Sequence, residues 1–327
     1  MAAAKRFNIL AVVQEGRLAY EALLLAASFR ETNPGFAGTF YLAEPHGPRW
    51  PHDPRLTNPE IRAALQDLGA VFLPFENKVF GASYPHGNKI EALAALPDEP
   101  FLFLDSDILV TGDLSAVPFD FRRPSASMRR EGTWPVVPIY STHEAIWGAL
   151  YDRFKLDMAP TLDLSEPADH WRRFLYFNAG WFFHQSPRAF GERFLRFARD
   201  LRDDPPEALA AQALYPWLDQ IVLPLVIHSF GGGRPAPALS VLDDGLLCHY
   251  RSLPLLYARE SDAAVELLDN VARRKELRRL LRDWEPAREM IYRNRGAKAR
   301  ALFDRDDLPV REKAIRSRLK EAGFWLR

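Results

Sequence analysis

One cysteine, Cys248, is all that 327 residues offer, so an intramolecular disulfide and a cysteine-rich zinc site are both excluded. A reducing compartment, the cytoplasm, is the expectation. Net charge is also missing, with 43 Lys+Arg against 43 Asp+Glu, which leaves no global field to gather nucleic acid or an acidic substrate. Long hydrophobic runs are absent too. The apolar stretch from Trp217 to Phe230 is interrupted by Asp219, Gln220 and His228, whereas a membrane-spanning helix needs about 18 apolar residues in a row. The apolar stretch near the N-terminus breaks at Gln14-Glu15, too early for the hydrophobic core of a secretory signal, and predicts a first β-strand instead. Neither an internal repeat nor a low-complexity segment occurs.

What the chain does have is core material. At 47% hydrophobic residues, with 22 Phe and 8 Trp, it can bury one large core or two modest ones, and disorder is excluded for its bulk. The neutral total hides an asymmetry: residues 271–327 hold 18 basic and 9 acidic side chains, residues 1–270 hold 25 and 34. A main domain over 1–260 and a helical basic C-terminal extension over 261–327 are therefore expected. That extension, from Arg273-Arg274-Lys275 through Arg316, Lys320, Phe324 and Trp325, either packs on the domain with a solvated basic face or makes peripheral contact with an anionic membrane. In the second case each basic residue near the surface contributes about 1 kcal/mol.

The first 110 residues alternate strand and helix signals. Phe7 to Val13 has strand length, and Leu18, Ala22, Leu25 and Phe29 recur at the spacing of one helical face until Asn33-Pro34-Gly35 stops it. Thr39 to Leu42 and Val71 to Phe75 are further strands around a helix capped by Asn58 with Pro59 in its first position. Asn88 to Leu96 is helical, and Phe101 to Leu104 is a continuous apolar strand running into Asp105-Ser106-Asp107. The βαβαβαβ order predicts an α/β fold with a mostly parallel central sheet and helices on both faces. Beyond Thr111 the spacing predicts helices at His143 to Phe154, Pro187 to Arg202 and Trp217 to His228, and an aromatic strand region at Phe174 to Phe183. Short strands are expected at Ser240 to Leu242 and Leu246 to Tyr250 around an Asp243-Asp244-Gly245 turn. Gly231 to Gly233 lacks the context of a dinucleotide fingerprint and reads as a loop.

Chemistry is concentrated where the strands end. Two carboxylates one residue apart at the end of a buried strand, Asp105 and Asp107, can converge on a hard divalent cation and leave room for phosphate oxygens. Spacing alone is uninformative, because 23 Asp predict about 1.6 chance Asp-x-Asp triplets, and Asp304-Arg305-Asp306 is one. Only the first stands at a strand end. His249, closing another apolar strand, is either a hydrogen-bonded structural group or a third ligand. Asn178-Ala179-Gly180 interrupts an aromatic run, where the glycine indicates close approach of backbone or ligand and the alternative is a bulge in which Asn178 satisfies its own turn. Asp219 and Gln220, in the first turn of a helix, either bind sugar hydroxyls or complement the helix dipole.

Taken in order, Asn88-Lys89-Ile90, Phe103 to Val110 with its two aspartates, Phe177-Asn178-Ala179-Gly180, Leu218-Asp219-Gln220 and His249 resemble the GT-A nucleotide-sugar glycosyltransferases, most closely family 8. The resemblance covers roughly residues 7–250. It implies a GT-A, Rossmann-like fold and a metal-dependent glycosyltransferase that moves a hexose from a nucleotide-diphosphate sugar, usually UDP-linked, to a glycan or glycolipid hydroxyl with retention at the anomeric carbon. Asp105, Asp107 and His249 then hold a divalent metal, usually manganese with magnesium as the alternative. Lys89, Ser106, Asn178, Ala179 and Gly180 line the donor, and Asp219 and Gln220 stand at the reaction centre. Two departures are visible. The family's aspartate and aromatic residue after the first strand are replaced by Gln14, Glu15, Gly16 and Arg17, with Tyr20 as the nearest aromatic, and its glycine and lysine after the histidine by Tyr250-Arg251-Ser252-Leu253-Pro254. Arg251 is the candidate substitute for the phosphate-binding lysine. The rival readings are a degenerate sugar-nucleotide or glycan-binding protein, and a haloacid-dehalogenase-type phosphatase. The latter lacks its glycine and threonine, since Ile108 and Leu109 follow the second aspartate.

Overall fold

A computed structural model describes residues 6–326; residues 1–5 and Arg327, the outer ends of the two expected segments, lie outside the described residues. Asn8–Val12 (β1), Arg17–Thr32 (α1), Phe40–His46 (β2), Pro59–Asp67 (α2) and Ala70–Glu76 (β3) follow in the expected alternation. Asn58 caps α2 through hydrogen bonds from Glu60 N and Ile61 N, with Pro59 in the first position. Asn88–Glu91 (α3) is a single α-turn continued by a tighter turn over Ala92–Ala95, so the helix expected there is shorter and more strongly wound. Phe101–Leu104 (β4) is buried at every position.

After β4 come Ile108–Val110 (β5), Ala126–Ser127 (β6), His143–Arg153 (α4), Asn178–His184 (β7), Pro187–Asp203 (α5), Leu218–Ser229 (α6) and Leu247–His249 (β8). The six-stranded sheet has the order β3-β2-β1-β4-β7-β6, parallel from β3 to β4 and antiparallel across β7 and β6. Together with its helices this is the mostly parallel α/β architecture expected from the sequence. Side chains alternate across it: Ile9, Ala11, Leu102 and Leu104 join one apolar cluster, while Leu10, Val12, Phe101 and Phe103 join another on the opposite face.

Two expectations need correction. The aromatic strand is β7 alone, since Phe174 to Phe177 are buried but unpaired with another strand. Ser240 to Leu242 is not a strand, because Leu242–Leu246 forms a wide helical turn. Its Asp243 carboxylate accepts hydrogen bonds from Ser127 Oγ, Met128 N and Trp181 Nε1, which fixes the turn against the sheet.

The C-terminal part consists of Leu253–Arg259 (α7), Asp262–Ala272 (α8), Lys275–Leu281 (α9), Glu285–Ala287 (α10), Arg295–Arg300 (α11) and Glu312–Glu321 (α12). Leu268, Val271, Ala272, Leu277 and Leu281 share one apolar cluster with Ala19, Leu23 and Ala27 of α1. Several basic residues are engaged by acids of the preceding domain, Arg274 by Glu31 and Arg279 by Glu60. Among the described residues no helix is long and apolar enough to cross a membrane.

A buried serine ties α1 to the site-bearing strand. Ser28 Oγ donates to Leu25 O and accepts from Val110 N of β5. Ser28→Ala leaves the Val110 amide unpaired in the core, so we expect a loss of about 1–3 kcal/mol in urea unfolding. An unchanged midpoint would contradict the assignment.

Candidate functional site

Strand geometry assembles the site before any ligand is considered. β4 delivers Asp105 at its carboxyl end, and the chain turns through Ser106 and Asp107 into β5. β5 pairs antiparallel with β8, Ile108 opposite His249, and Tyr250 N donates to Asp107 O at 3.1 Å. Residues 142 positions apart in the chain thereby face each other. His249 Nε2 stands 3.2 Å from Asp107 Oδ1 and 3.9 Å from Asp105 Oδ2, and one ligand atom from each of the three lies within 4.8 Å of the others. Two carboxylates and an imidazole are a donor set suited to a borderline or hard divalent cation.

β7 supplies the wall beside them. Asp105 N donates to Gly180 O at 2.8 Å, and Asn178 Oδ1 accepts from Gly180 N at 2.9 Å. The register with β6 slips here, Ala126 pairing with Phe182 but Ser127 with Asn178, so the motif is a bulge in which Asn178 satisfies its own turn. The glycine is also required by close approach, because a Cβ at position 180 would lie 2.4 Å from His249 Nδ1.

Lys89, from the first turn of α3, reaches into the centre. Its Nζ lies 2.8 Å from Asp105 Oδ1, 3.4 Å from Asp219 Oδ2 and 3.1 Å from Ala179 O, one partner for each ammonium hydrogen. Burial disfavours the charge, but Asp105 and Asp219 outweigh it and raise the lysine above its ordinary range. Asp219 opens α6 and is held from the other side by Tyr84, whose hydroxyl donates to Oδ1 at 2.7 Å and accepts from Asp219 N. Gln220 accepts a hydrogen bond from the Tyr176 hydroxyl at 2.9 Å. Burial, reinforced by Asp107, raises the Asp105 carboxyl against the pull of Lys89. For Asp107 burial acts in the same sense, but His249, Arg17 and Lys89 together hold it well below the usual carboxylate range.

A cleft opens over this group at the carboxyl ends of β1 and β4, lined by Val12, Gln14, Arg17, Glu21, His86, Asn88, Lys89 and Asp105 to Asp107. Gln14 and Asn88 meet across it, Asn88 Nδ2 donating to Gln14 Oε1 at 3.3 Å. The metal-type triad, Lys89, Asn178 to Gly180 and Asp219 are thus connected directly, and Gln220 lies one residue beyond. Arg251 is held differently. It sits in the left-handed region at φ +61° and its guanidinium binds Glu312 of α12 at 2.7 Å.

Sequence reasoning passed over Glu21 and Tyr84. Glu21 shares a buried face of α1 with Leu25 and Ser28, an i, i+4, i+7 spacing at which an acid is costly, and that was its available signal. It accepts from Arg17 at 3.0 Å and from Ser106 Oγ at 3.3 Å. Tyr84 lies in an irregular loop and carries no comparable signal.

The α/β sheet thus gathers two aspartates, a histidine and a buried lysine at its strand ends. Residues 9–231 match the model of the Rhodobacterales glycosyltransferase domain, and the chain belongs to that glycosyltransferase family. His249, Arg251 and the C-terminal helices follow the matched span. Among solved structures, the galactosyltransferase LgtC in complex with donor and acceptor sugar analogs is 16% identical, covering 66% of this chain and 69% of its own, at TM-score 0.40. The WbbM bifunctional glycosyltransferase is 14% identical over 86% of this chain and 52% of its own, at TM-score 0.47. GlyE of Streptococcus pneumoniae TIGR4 is 14% identical over 85% and 63%, at TM-score 0.46. No similar protein is found among curated sequences.

Burial, with the Asp107 charge adding to it, pushes the Glu21 carboxyl up to about 8. A raised acid stabilises the fold below its unfolded value near 4.5 and loses that contribution as pH rises through about 8. In metal-free protein we therefore expect Glu21→Gln to flatten the fall of the urea midpoint between pH 5 and about 9. A wild-type slope retained in the variant would contradict this.

Proposed function

We propose that the chain is a metal-dependent, retaining hexosyltransferase that uses a nucleotide-diphosphate sugar, with UDP-sugar as the favoured donor, and a glycan or glycolipid hydroxyl as acceptor. One observation carries the reading: in a chain of a glycosyltransferase family, Asp105, Asp107 and His249 converge within 4.8 Å at the mouth of the strand-end cleft. The donor set fits a divalent cation, manganese being favoured, with magnesium second. When bound, the ion neutralises charge developing on the departing diphosphate.

The chain's own groups account for the remainder. Lys89 places a permanent positive charge between the two carboxylate clusters, beside both the diphosphate position and the sugar. Asp219, gripped by Lys89 and Tyr84, is prevented from rotating and presents a fixed negative charge to an oxocarbenium-like sugar. Gln220, oriented by Tyr176 through its side-chain oxygen, offers its amide hydrogens to sugar hydroxyls. Ser106, Asn178, Ala179 and Gly180 contour the donor wall, and Arg251 supplies a second cation near the phosphates. In the departure after β1, the Gln14 and Asn88 amides replace the family's aspartate and aromatic residue at the base.

Residues 1–260 form the transferase domain in this reading, and 261–327 the basic extension. Exposed Arg273, Lys275, Arg278 and Arg282 supply peripheral contact with an anionic membrane from the cytoplasmic side, where a lipid-linked acceptor is presented. Membership of a glycosyltransferase family removes the phosphatase alternative.

The test screens UDP-, GDP- and other nucleotide-sugars for manganese-dependent turnover by wild type, Asp107→Ala and Gly180→Ala. We expect turnover of one donor, abolished in Asp107→Ala. In Gly180→Ala, where the new Cβ collides with the His249 ring, manganese affinity falls at least about tenfold. If wild type binds no nucleotide-sugar with or without manganese, the enzyme reading fails and a degenerate binding protein takes its place.

A further inference from the structure

The segment after His249 is organised from the far end of the chain. Glu312, in the first position of α12, is 4% exposed, and its Oε2 accepts from Arg251 at 2.7 Å and from Arg259 at 2.5 Å. Its Oε1 is bound by Arg316 of the next helical turn. Arg259 carries the connection back to the site, because its Nη2 donates to His249 O at 3.3 Å and its Nε to Glu260 at 2.8 Å. Glu260 in turn binds Arg129, next to the β6 bulge partner Ser127. One buried carboxylate thus fixes two arginines, one beside a candidate metal ligand's carbonyl and one directly following that ligand by two positions.

Arg251 has little reason of its own to stay where it is. Its backbone is in the left-handed region, which an arginine avoids unless neighbours impose it. Its side chain is partly buried, and its guanidinium is held by the Glu312 carboxylate. An arginine deprived of its counter-charge turns to solvent or to another acid.

We infer that Glu312 is a positioning residue for the donor site: through Arg251 and Arg259 the C-terminal helix α12 sets the phosphate-facing arginine and the loop that carries His249. The inference rests on the proposed nucleotide-sugar reading and adds to it that a transferase site within the main domain is completed by the extension. It also places a determinant of donor affinity some 80 residues beyond the span that identifies the family.

Glu312→Gln keeps the shape and removes the charge. The measurements are KM and kcat for the donor found above, together with UDP and manganese titrated calorimetrically into wild type, Glu312→Gln, Arg251→Ala and the double variant. We expect UDP affinity to fall and donor KM to rise about tenfold, the scale of one charge-assisted hydrogen bond, with kcat within about twofold. In the Arg251→Ala background the second substitution costs less UDP affinity than it does in wild type, because the Arg251 route is gone and only the Arg259 route to the His249 loop remains. A purely structural role gives the same loss in both backgrounds and overturns the inference, as does unchanged UDP affinity in the single variant. Should Glu312→Gln not fold, Glu312→Asp, which retains the charge but withdraws it by one methylene, gives the same readout. Absence of UDP binding in wild type overturns the donor reading and this inference together, whereas wild-type binding that Glu312→Gln leaves intact overturns this inference alone.

Discussion

The site depends on one buried ammonium group. Asp105, Asp107 and Asp219 are brought toward one another by β4, the β4–β5 turn and α6, and carboxylates gathered in a partly dehydrated cleft repel one another. Lys89 opposes this repulsion by standing between Asp105 and Asp219 while donating its third hydrogen to Ala179 O. Removing one member of such a buried arrangement leaves an uncompensated charge, which is more damaging than the loss of the contact itself. The lysine therefore determines where β7 can run and where α6 can start, because the Ala179 carbonyl and the Asp219 carboxylate must both reach it. His249 stands beside Asp107, while Arg17 binds Glu21 without overcoming the burial that raises its carboxyl.

Seen this way, positive charge is distributed around the acids in tiers. Lys89 is central, Arg17 lies in the cleft wall, and Arg251 and Arg259 are held by Glu312. Basic residues of the extension that looked like a solvated or membrane-facing surface in the sequence are partly structural, Arg274 and Arg279 pairing with acids of α1 and α2. The opposite charges of the two segments, read as asymmetry along the chain, are also what attracts one segment to the other. Their apolar surfaces merge into one cluster, which gives the association its main driving force.

Much of the fold was legible because its physics is local. Strand runs such as Phe101 to Leu104 are apolar at every residue since both faces of a central strand are covered, and the Asn58-Pro59 cap signals a helix start without reference to anything distant. The failures are equally physical. Ser240 to Leu242 has a strand-like composition, but Asp243 finds three hydrogen-bond donors on the sheet and winds the segment into a helical turn. Glu21 carried a readable warning, an acid within an apolar stripe. Tyr84 and Glu312 carried none, because their partners Asp219 and Arg251 are 135 and 61 positions away.

The sequence by itself determined the alternation of strands and helices, the strand end that carries Asp105-Ser106-Asp107, the unusual amide and glycine at Asn178 and Gly180, and the family to be expected from their order. These follow from periodicity, turn chemistry and spacing, which act over a few residues. Only the tertiary structure decided that His249 closes on Asp107, that Lys89 bridges Asp105 and Asp219, and that α12 reaches back to Arg251. They depend on the antiparallel register of β5 with β8, on α3 and α6 meeting at the end of β4, and on α12 packing against α7, and such long-range pairings are selected by the total burial and charge balance of the folded chain.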